Sequence, residues 1–323
     1  MRIALLADIH GNLPALEAVI AELERLQPDQ VIVDGDLINA VPFSAEVIDV
    51  VRAQNWVVVR GNHEFYYLDY GTERAQSWAS DPRRWGQLHW LVRSITPEQG
   101  QFLGMLPDDR TLYLPGTQPL RVTHGVPGRN RVGFYAEQPA ELIAAELDGM
   151  TERTIISAHT HVQVDRHVSA LDGGNGESYG DPHSSRSLQI LGDRRRWHVI
   201  NPGSVGLPLN QDVGAQFAMI VSVDEETEPG GWRAVHYSVP YDRRPALEAY
   251  STSGMLEAGG VMTQLFYWEL VTARPEIILF YHWARENGHS PDEDIDGAFQ
   301  AYVADTGRDQ HVCGLDPLYG RQR

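Results

Sequence analysis

Two hydrophobic rhythms alternate at the start of the chain. Residues 3–7 form an unbroken apolar run, which predicts a strand buried on both faces. Asn12 then stands as an N-cap before Leu13, Leu16, Val19, Ile20 and Leu23, the spacing of one helix face. Residues 31–33 predict a second strand, 45–52 a helix and 56–59 a third strand, so a βαβ rhythm repeats. Each strand runs into a polar cluster: Asp8 and His10, then Asp34 and Asp36, then Arg60, Asn62 and His63. In open α/β sheets, ligands bind at the carboxyl ends of strands.

The pattern turns helical from residue 65 to about 106, with Trp78, Trp85 and Trp90 and a helix start at Thr96-Pro97-Glu98. This predicts a helical cap inserted at residues 65–107, beside the polar clusters. Strands are predicted at 112–114, 120–123, 154–157, 197–200, 218–223 and 234–239, with one helix at 137–147 among them. That excess of strands argues for two packed sheets rather than one doubly wound sheet. The Gly, Ser, Asp and Asn run over 171–186 is too long for an ordinary turn and begins ten residues after His161, so it is expected to be a mobile lid at the site rim. Beyond Pro240, helices are predicted over 260–273, 275–287 and 291–305, the last capped by Ser290. The expected organisation is a domain of residues 1–242 carrying the cap, with a helical extension, 243–323, packed on it.

Composition narrows the function. The 323 residues are 42% hydrophobic, which excludes a disordered chain. Asp plus Glu number 44 against 26 Lys plus Arg, a formal charge of -18, and a surface of that sign opposes nucleic-acid polymers. Cys313 is the only cysteine, so an internal disulfide and a thiolate zinc cage are both excluded, which fits a reducing compartment. The apolar start is too short for a secretory h-region and no window approaches about 18 uninterrupted apolar residues. A cytoplasmic protein without a membrane span is expected.

The polar clusters carry the chemistry. Asp8 and His10 lie two apart in extended chain and so share a face, as do His159 and His161. Asp36 follows Gly35, Asn62 and His63 follow Gly61, and His124 closes a later strand. Carboxylates, an amide oxygen and imidazoles without thiolate suit Mn, Fe, Zn or Ni better than Mg or Ca. Seven ligands are too many for one catalytic ion that keeps an open position. Two ions about 3.5–4 Å apart, bridged by one carboxylate, would use them all.

Asp8-x-His10, Gly35-Asp36, Gly61-Asn62-His63-Glu64, His124 and His159-x-His161 resemble, in order, the motifs of the calcineurin-like metallophosphoesterases. Asn201-Pro202-Gly203-Ser204-Val205-Gly206 is similar to a segment of their small bacterial phosphodiesterase branch, so the resemblance spans roughly residues 1–240. It implies a four-layer α/β/β/α sandwich. It also implies that Asp8, His10 and His161 hold one divalent ion and Asn62, His124 and His159 a second, with Asp36 bridging. A hydroxide between the ions would attack phosphorus in line, and His63 would protonate the leaving oxygen. Arg60 matches the arginine of the Arg-Gly-Asn-His-Glu string in serine/threonine phosphoprotein phosphatases, where a guanidinium is suited to clasp phosphate. Their downstream Asp-Arg-Gly is absent, since Gly35-Asp36 runs into Leu37-Ile38-Asn39-Ala40. Glu64 stands where an aspartate is commoner in the small bacterial branch.

The expected substrate is therefore a small phosphodiester or nucleotide. A phosphomonoesterase or protein phosphatase is the alternative, as is a non-catalytic scaffold like the retromer subunit that shares this fold, although all eight positions are filled here. The Asn201–Gly206 segment reads either as a tight turn or as a buttress of the ligand loops. Trp78, Trp85 and Trp90 read as packed cap residues or as a stacking surface for a planar group. Phe266, Tyr267, Trp268, Phe280, Tyr281 and Trp283 read as core, with part of that face left for a homo-oligomer interface. Arg194, Arg195 and Arg196 read as a loop tip or a phosphate patch. His89, His167, His183, His198, His236, His282, His289 and His311 match no ligand spacing.

Overall fold

The computed structural model describes residues 1–169 and 196–319. The expected lid at 171–186, His183, Arg194 and Arg195 lie outside the described residues. Strand β1 (Arg2–Leu6) leads to helix α1 (Leu13–Leu26), β2 (Gln30–Asp34), α2 (Ser44–Arg52), β3 (Val57–Val59) and α3 (Asn62–Asp69). Asn12 caps α1 as expected, its side chain accepting the Ala15 N–H at 3.2 Å. A 3₁₀ turn (Ser77–Ser80), α4 (Pro82–Ser94) and α5 (Pro97–Met105) form the cap. A capping box of Thr96 and Gln99 starts α5.

The second half contributes β4 (Asp109–Leu112), β5 (Leu120–Thr123), α6 (Ala140–Glu146), β6 (Thr154–Ile156), β7 (Gln163–Ser169), β8 (Arg196–Pro202), β9 (Ala215–Ser222) and β10 (Trp232–Val239). One sheet runs β10-β9-β1-β2-β3 and the other β4-β5-β6-β8-β7. Pairing is parallel for β1-β2, β2-β3, β5-β6 and β6-β8, and antiparallel at the outer strands. Strand β1 shows how the layers form. Ile3 and Leu5 enter the core between the sheets with Val122, Ile156 and Ile220, while Ala4 and Leu6 face the helices on the other side. Helix α6 covers the far face of the second sheet through Ile143 and Leu147, completing an α/β/β/α sandwich.

Some expectations shift. Strand β7 has no apolar run, because only Val164 and Val168 of its seven residues are buried hydrophobics, as suits a sheet edge. The strand expected at 112–114 lies at Asp109–Leu112, and the helix expected over 137–147 shortens to Ala140–Glu146 behind Pro139. After β10 the structure has six helices rather than three among the described residues: α7 (Arg244–Thr252), α8 (Met255–Ala258), α9 (Gly260–Thr272), α10 (Glu276–Glu286), α11 (Ile295–Thr306) and α12 (Arg308–Leu315). Asp294, not Ser290, caps α11 by accepting the Gly297 N–H at 3.0 Å, while the Ser290 carbonyl closes the preceding turn.

One apolar cluster runs from Leu16 and Val19 of α1 through Trp85, Leu88 and Leu91 of α4 to Leu265, Phe266 and Phe280 of the C-terminal helices. The cap meets those helices at Gly86, where an added Cβ would lie 1.9 Å from the Ala258 carbonyl oxygen. Gly86→Ala is therefore expected to lower stability by about 1–3 kcal/mol. Chemical denaturation checks this, and an unchanged midpoint would count against so close an approach.

Candidate active site

Parallel strands place the expected ligands together. Asp8 and His10 follow β1, Asp36 follows β2, Asn62 and His63 open α3 after β3, His124 follows β5, and His159 and His161 follow β6. The loops are stitched by main-chain bonds, including Asp8 N–H to Gly35 O at 3.2 Å and His10 N–H to Asp36 O at 2.9 Å. Five of these residues hold left-handed backbone: Asp8 (φ 52°), His10 (53°), Asp36 (51°), His159 (69°) and His161 (57°). Such conformations are costly for residues with a Cβ and concentrate at functional sites.

The side chains converge in two groups. Ligand atoms of Asp8, His10, Asp36 and His161 lie within 4.8 Å of one another, and so do those of Asp36, His124 and His159. Asp36 belongs to both. His10 Nε2 and His161 Nε2 face each other at 3.0 Å, and His124 Nε2 stands 3.1 Å from Asp36 Oδ2. Asn62 Oδ1 joins the second group, 3.0 Å from His124 Nε2 and 2.8 Å from His159 Nδ1. Both carboxylate oxygens of Asp8 and Oδ2 of Asp36 are buried without a hydrogen-bond partner. Buried carboxylates normally have partners. Donors sharing a first-row cation at about 2.0–2.2 Å stand about 3 Å apart, so the spacing, the bare oxygens and the mixed O/N chemistry all fit divalent transition metals.

The surroundings set the imidazoles for that role. A carbonyl only accepts, so Nδ1–H of His124 donates to Asp34 O at 2.7 Å and Nδ1–H of His161 to Leu207 O at 2.6 Å. Both leave Nε2 turned to the cluster. Burial pushes His10 well below the usual imidazole range, His159 to about 4 and His161 to about 3, the neutral form a metal requires. His124 is the exception: burial lowers it too, but Asp36, Asp8 and Asp34 outweigh that and raise it well above the usual range. Burial pushes Asp8 up. For Asp36 burial acts the same way, but His124, His63 and His10 outweigh it and hold the carboxyl well below its ordinary value.

Glu64 turns out to be a clamp. One oxygen accepts the N–H groups of Asp36 (2.9 Å) and Gly61 (2.7 Å), and the other that of Leu37 (2.8 Å). It thereby ties the β2 loop to the β3 loop. Gly61 is obligatory there, since a Cβ would fall 2.1 Å from Asp36 Oδ1. The Asn201–Gly206 segment acts as a buttress: Ser204 Oγ donates to Asp8 O at 2.7 Å, and Asn201 Nδ2 to Ala158 O at 3.1 Å and Thr160 Oγ1 at 3.0 Å.

The structure does not bring Arg60 to this cluster. Its guanidinium binds Asp108, reaches the Gly104 carbonyl at 3.4 Å and lies 4.9 Å over the Phe65 ring. A different cation stands at the site, Arg131, 4.7 Å over the Tyr66 ring and close enough to pull down on His63, which burial chiefly lowers, and on Tyr66, which burial nonetheless raises. It lies in a loop with no periodic pattern, so no sequence signal marked it. Of the cap tryptophans, Trp78 and Trp85 line a cavity beside His63, whereas Trp90 donates to Ser253 O at 3.2 Å. Most remaining histidines have structural partners: His89 meets Tyr70 Oη, His236 the Asn201 carbonyl, His282 Glu286, and His289 stacks on Trp283. His198 binds Asp165 at 2.6 Å and stacks on His167, a grouping hidden from the sequence because β7 was not predicted.

Comparison with known proteins agrees with this geometry. An uncharacterized protein of Methanocaldococcus jannaschii is 25% identical over 210 residues, 64% of this chain and 76% of that one. The fold is similar to that of a metallophosphoesterase from Sphaerobacter thermophilus, with TM-score 0.57 and 22% identity over 84% of this chain and 100% of that one. It is also similar to a hypothetical protein from Pyrococcus horikoshii, with TM-score 0.59 and 19% identity over 82% and 97%. No helix among the described residues is long and apolar enough to cross a membrane. The family model for calcineurin-like phosphoesterases matches residues 1–194, and on that match, with its motifs gathered at one edge of two sheets, the chain belongs to the calcineurin-like phosphoesterase family.

Proposed function

We propose that the chain is a dinuclear-metal phosphoesterase acting on a small phosphodiester or nucleotide-type substrate. Asp8, His10 and His161 would hold one divalent ion, Asn62, His124 and His159 the other, and Asp36 both. The observation that carries this reading is the sharing of Asp36 between two groups of donor atoms, with its Oδ2 and both oxygens of Asp8 buried and unpartnered. When bound, two such ions, Mn, Fe, Zn or Ni by donor chemistry, neutralise phosphate charge and supply a nucleophile at neutral pH.

The protein's own groups do the rest. His63 belongs to neither donor group, and its ring stands 4.7 Å from that of His10. Its N–H donates to Asp36 Oδ1 at 2.7 Å, fixing the residue beside the cluster. From there the imidazole protonates the leaving oxygen. Burial pushes its pKa down while Asp36 raises it, and the negative charge of a phosphate beside the ring adds to the upward pull. Arg131, rather than Arg60, is the guanidinium that faces the phosphate oxygens. A cavity of about 280 Å³ lined by Asp36, Asn62, His159, His161 and Phe266 favours a small substrate. Residues 1–242 form the catalytic domain, and residues 243–323 wall the site through Phe266 and Ile277.

The purified chain is expected to carry two transition-metal ions, and Asp36→Asn to weaken retention of both. Elemental analysis tests this, and one ion per chain in a fully active preparation would defeat the scheme. His63→Gln should slow hydrolysis of alkyl or nucleoside diesters by roughly 10²–10⁴, while nitrophenyl esters, whose oxide departs almost unaided, suffer much less. Equal losses on both ester types, or loss of metal with the imidazole, would remove His63 from the proton-donor role.

A further inference from the structure

A second cavity, about 210 Å³, opens on the other side of His63 from the ligand cluster. Tyr66, Trp78, Trp85, Met262 and Phe266 line it with His63. His63 and Phe266 also line the cavity over the candidate ligands, so the two spaces meet at the proposed proton donor. The walls are aromatic: Tyr66 lies edge-on to Trp78 at 5.5 Å and to Trp85 at 4.9 Å, and His63 stands 5.3 Å from Tyr66 and 6.0 Å from Trp85. Helix α4 is interrupted at Trp85 (φ -136°, ψ 54°), one of the residues lining this space.

Two further features go beyond core packing. The indole N–H of Trp85 is buried with no acceptor among the described residues, although buried donors are nearly always paired. Arg84, whose guanidinium is ion-paired with Asp292, also lines this space and lies 5.5 Å over Trp78 and 5.6 Å over Tyr281, so its plane backs the aromatic walls. A pocket below the roughly 300 Å³ of drug-sized sites takes one ring system, not a polymer.

We propose that this cavity is the leaving-group subsite, selecting phosphodiesters whose leaving alcohol carries a planar aromatic group, either an aryl ring or a nucleobase. The proposal rests on the phosphoesterase reading above. With phosphorus over the ligand cluster and the leaving oxygen at His63, the leaving group continues into the aromatic space. A water gives up one proton to solvent as its oxygen bonds to phosphorus, the bond from phosphorus to the leaving oxygen breaks, and solvent later returns a proton to His63. The electron pair stays on that oxygen, which takes the His63 proton. The released alcohol remains stacked between aromatic walls, and the Trp85 N–H meets a ring heteroatom or ether oxygen where one is present.

The test compares methyl 2-(2-naphthyl)ethyl phosphate with methyl 2-cyclohexylethyl phosphate, whose leaving alcohols are similar in acidity and differ in planarity. Wild type should prefer the naphthyl ester at least tenfold in kcat/KM. Trp78→Leu and, independently, the cavity-filling Met262→Trp should bring that ratio toward one. Saturation-transfer NMR of 2-(2-naphthyl)ethanol and of adenosine, on chain stripped of metal, reads the cavity without chemistry. Transfer from either alcohol in wild type and its loss in both variants supports the subsite, and adenosine's response tells a nucleoside from an aryl occupant. Alcohol binding without any diester hydrolysis would defeat the phosphodiesterase reading and with it the leaving-group role, leaving only a cavity that binds aromatic alcohols. Hydrolysis with a ratio near one, or no transfer from either alcohol, would overturn the subsite.

Discussion

The structure is organised around buried carboxylates whose oxygens its own hydrogen bonds do not satisfy. Asp8 and Asp36 are buried at the ends of parallel strands, with three carboxylate oxygens lacking any hydrogen bond. Burying such a group alone is among the most unfavourable acts available to a protein. The fold nevertheless adds left-handed backbone at the same residues, and then tightens it with the Glu64 clamp, the Ser204 buttress and main-chain bonds between loops. Each device is unfavourable in isolation and explicable when a cation completes the set. A protein does not over-determine a strained, charged pocket for the sake of its own stability.

Glu64 shows how far the arrangement depends on a single side chain. Burial and the nearby Asp36 charge push its pKa up to about 7, while N–H bonds from Gly61 and Asp36 pull it the other way. A carboxylate offers both oxygens as acceptors, whereas an amide in the same place would turn a donor toward one set of N–H groups. The longer Glu side chain therefore serves as a strut between two ligand loops.

The sequence made the site more legible than its walls. Strand-end motifs are short and fixed by chemistry, so Asp8, His10, Asp36, Asn62, His124, His159 and His161 were readable as a set, and the structure gathers them within one cluster. Unbroken apolar runs likewise marked β1, β2 and β3, which are buried on both faces, and helical periodicity marked α1, which buries one. Such patterns failed for β7, an edge strand whose charged residues hide the alternation, and for α7 and α12, short helices held by tertiary packing. Arg60 was misplaced because a motif records order along the chain and not where a long side chain turns. Here Asp108 takes the guanidinium, at 2.9 Å from Arg60 Nε. Arg131 was missed for the converse reason, since only the folded loop brings it over Tyr66.

Arg131 also bears on an apparent conflict between net charge and chemistry. A chain of formal charge -18 repels anions at long range, yet a phosphoesterase must admit one. Beyond about 8–10 Å, salt screens exposed charges from each other, so the field at the mouth is set by nearby groups rather than by the total. Arg131 stands over Tyr66, close enough to act on His63, whereas Arg84, over Trp78 and Tyr281, is ion-paired with Asp292. Held on an aromatic face, the Arg131 charge stays beside His63 instead of being scattered on a mobile side chain. The acidic surface thus disfavours long polyanions, which must approach it along their length. A small phosphate ester meets mainly the local cation, so an acidic total charge is compatible with membership of a phosphoesterase family.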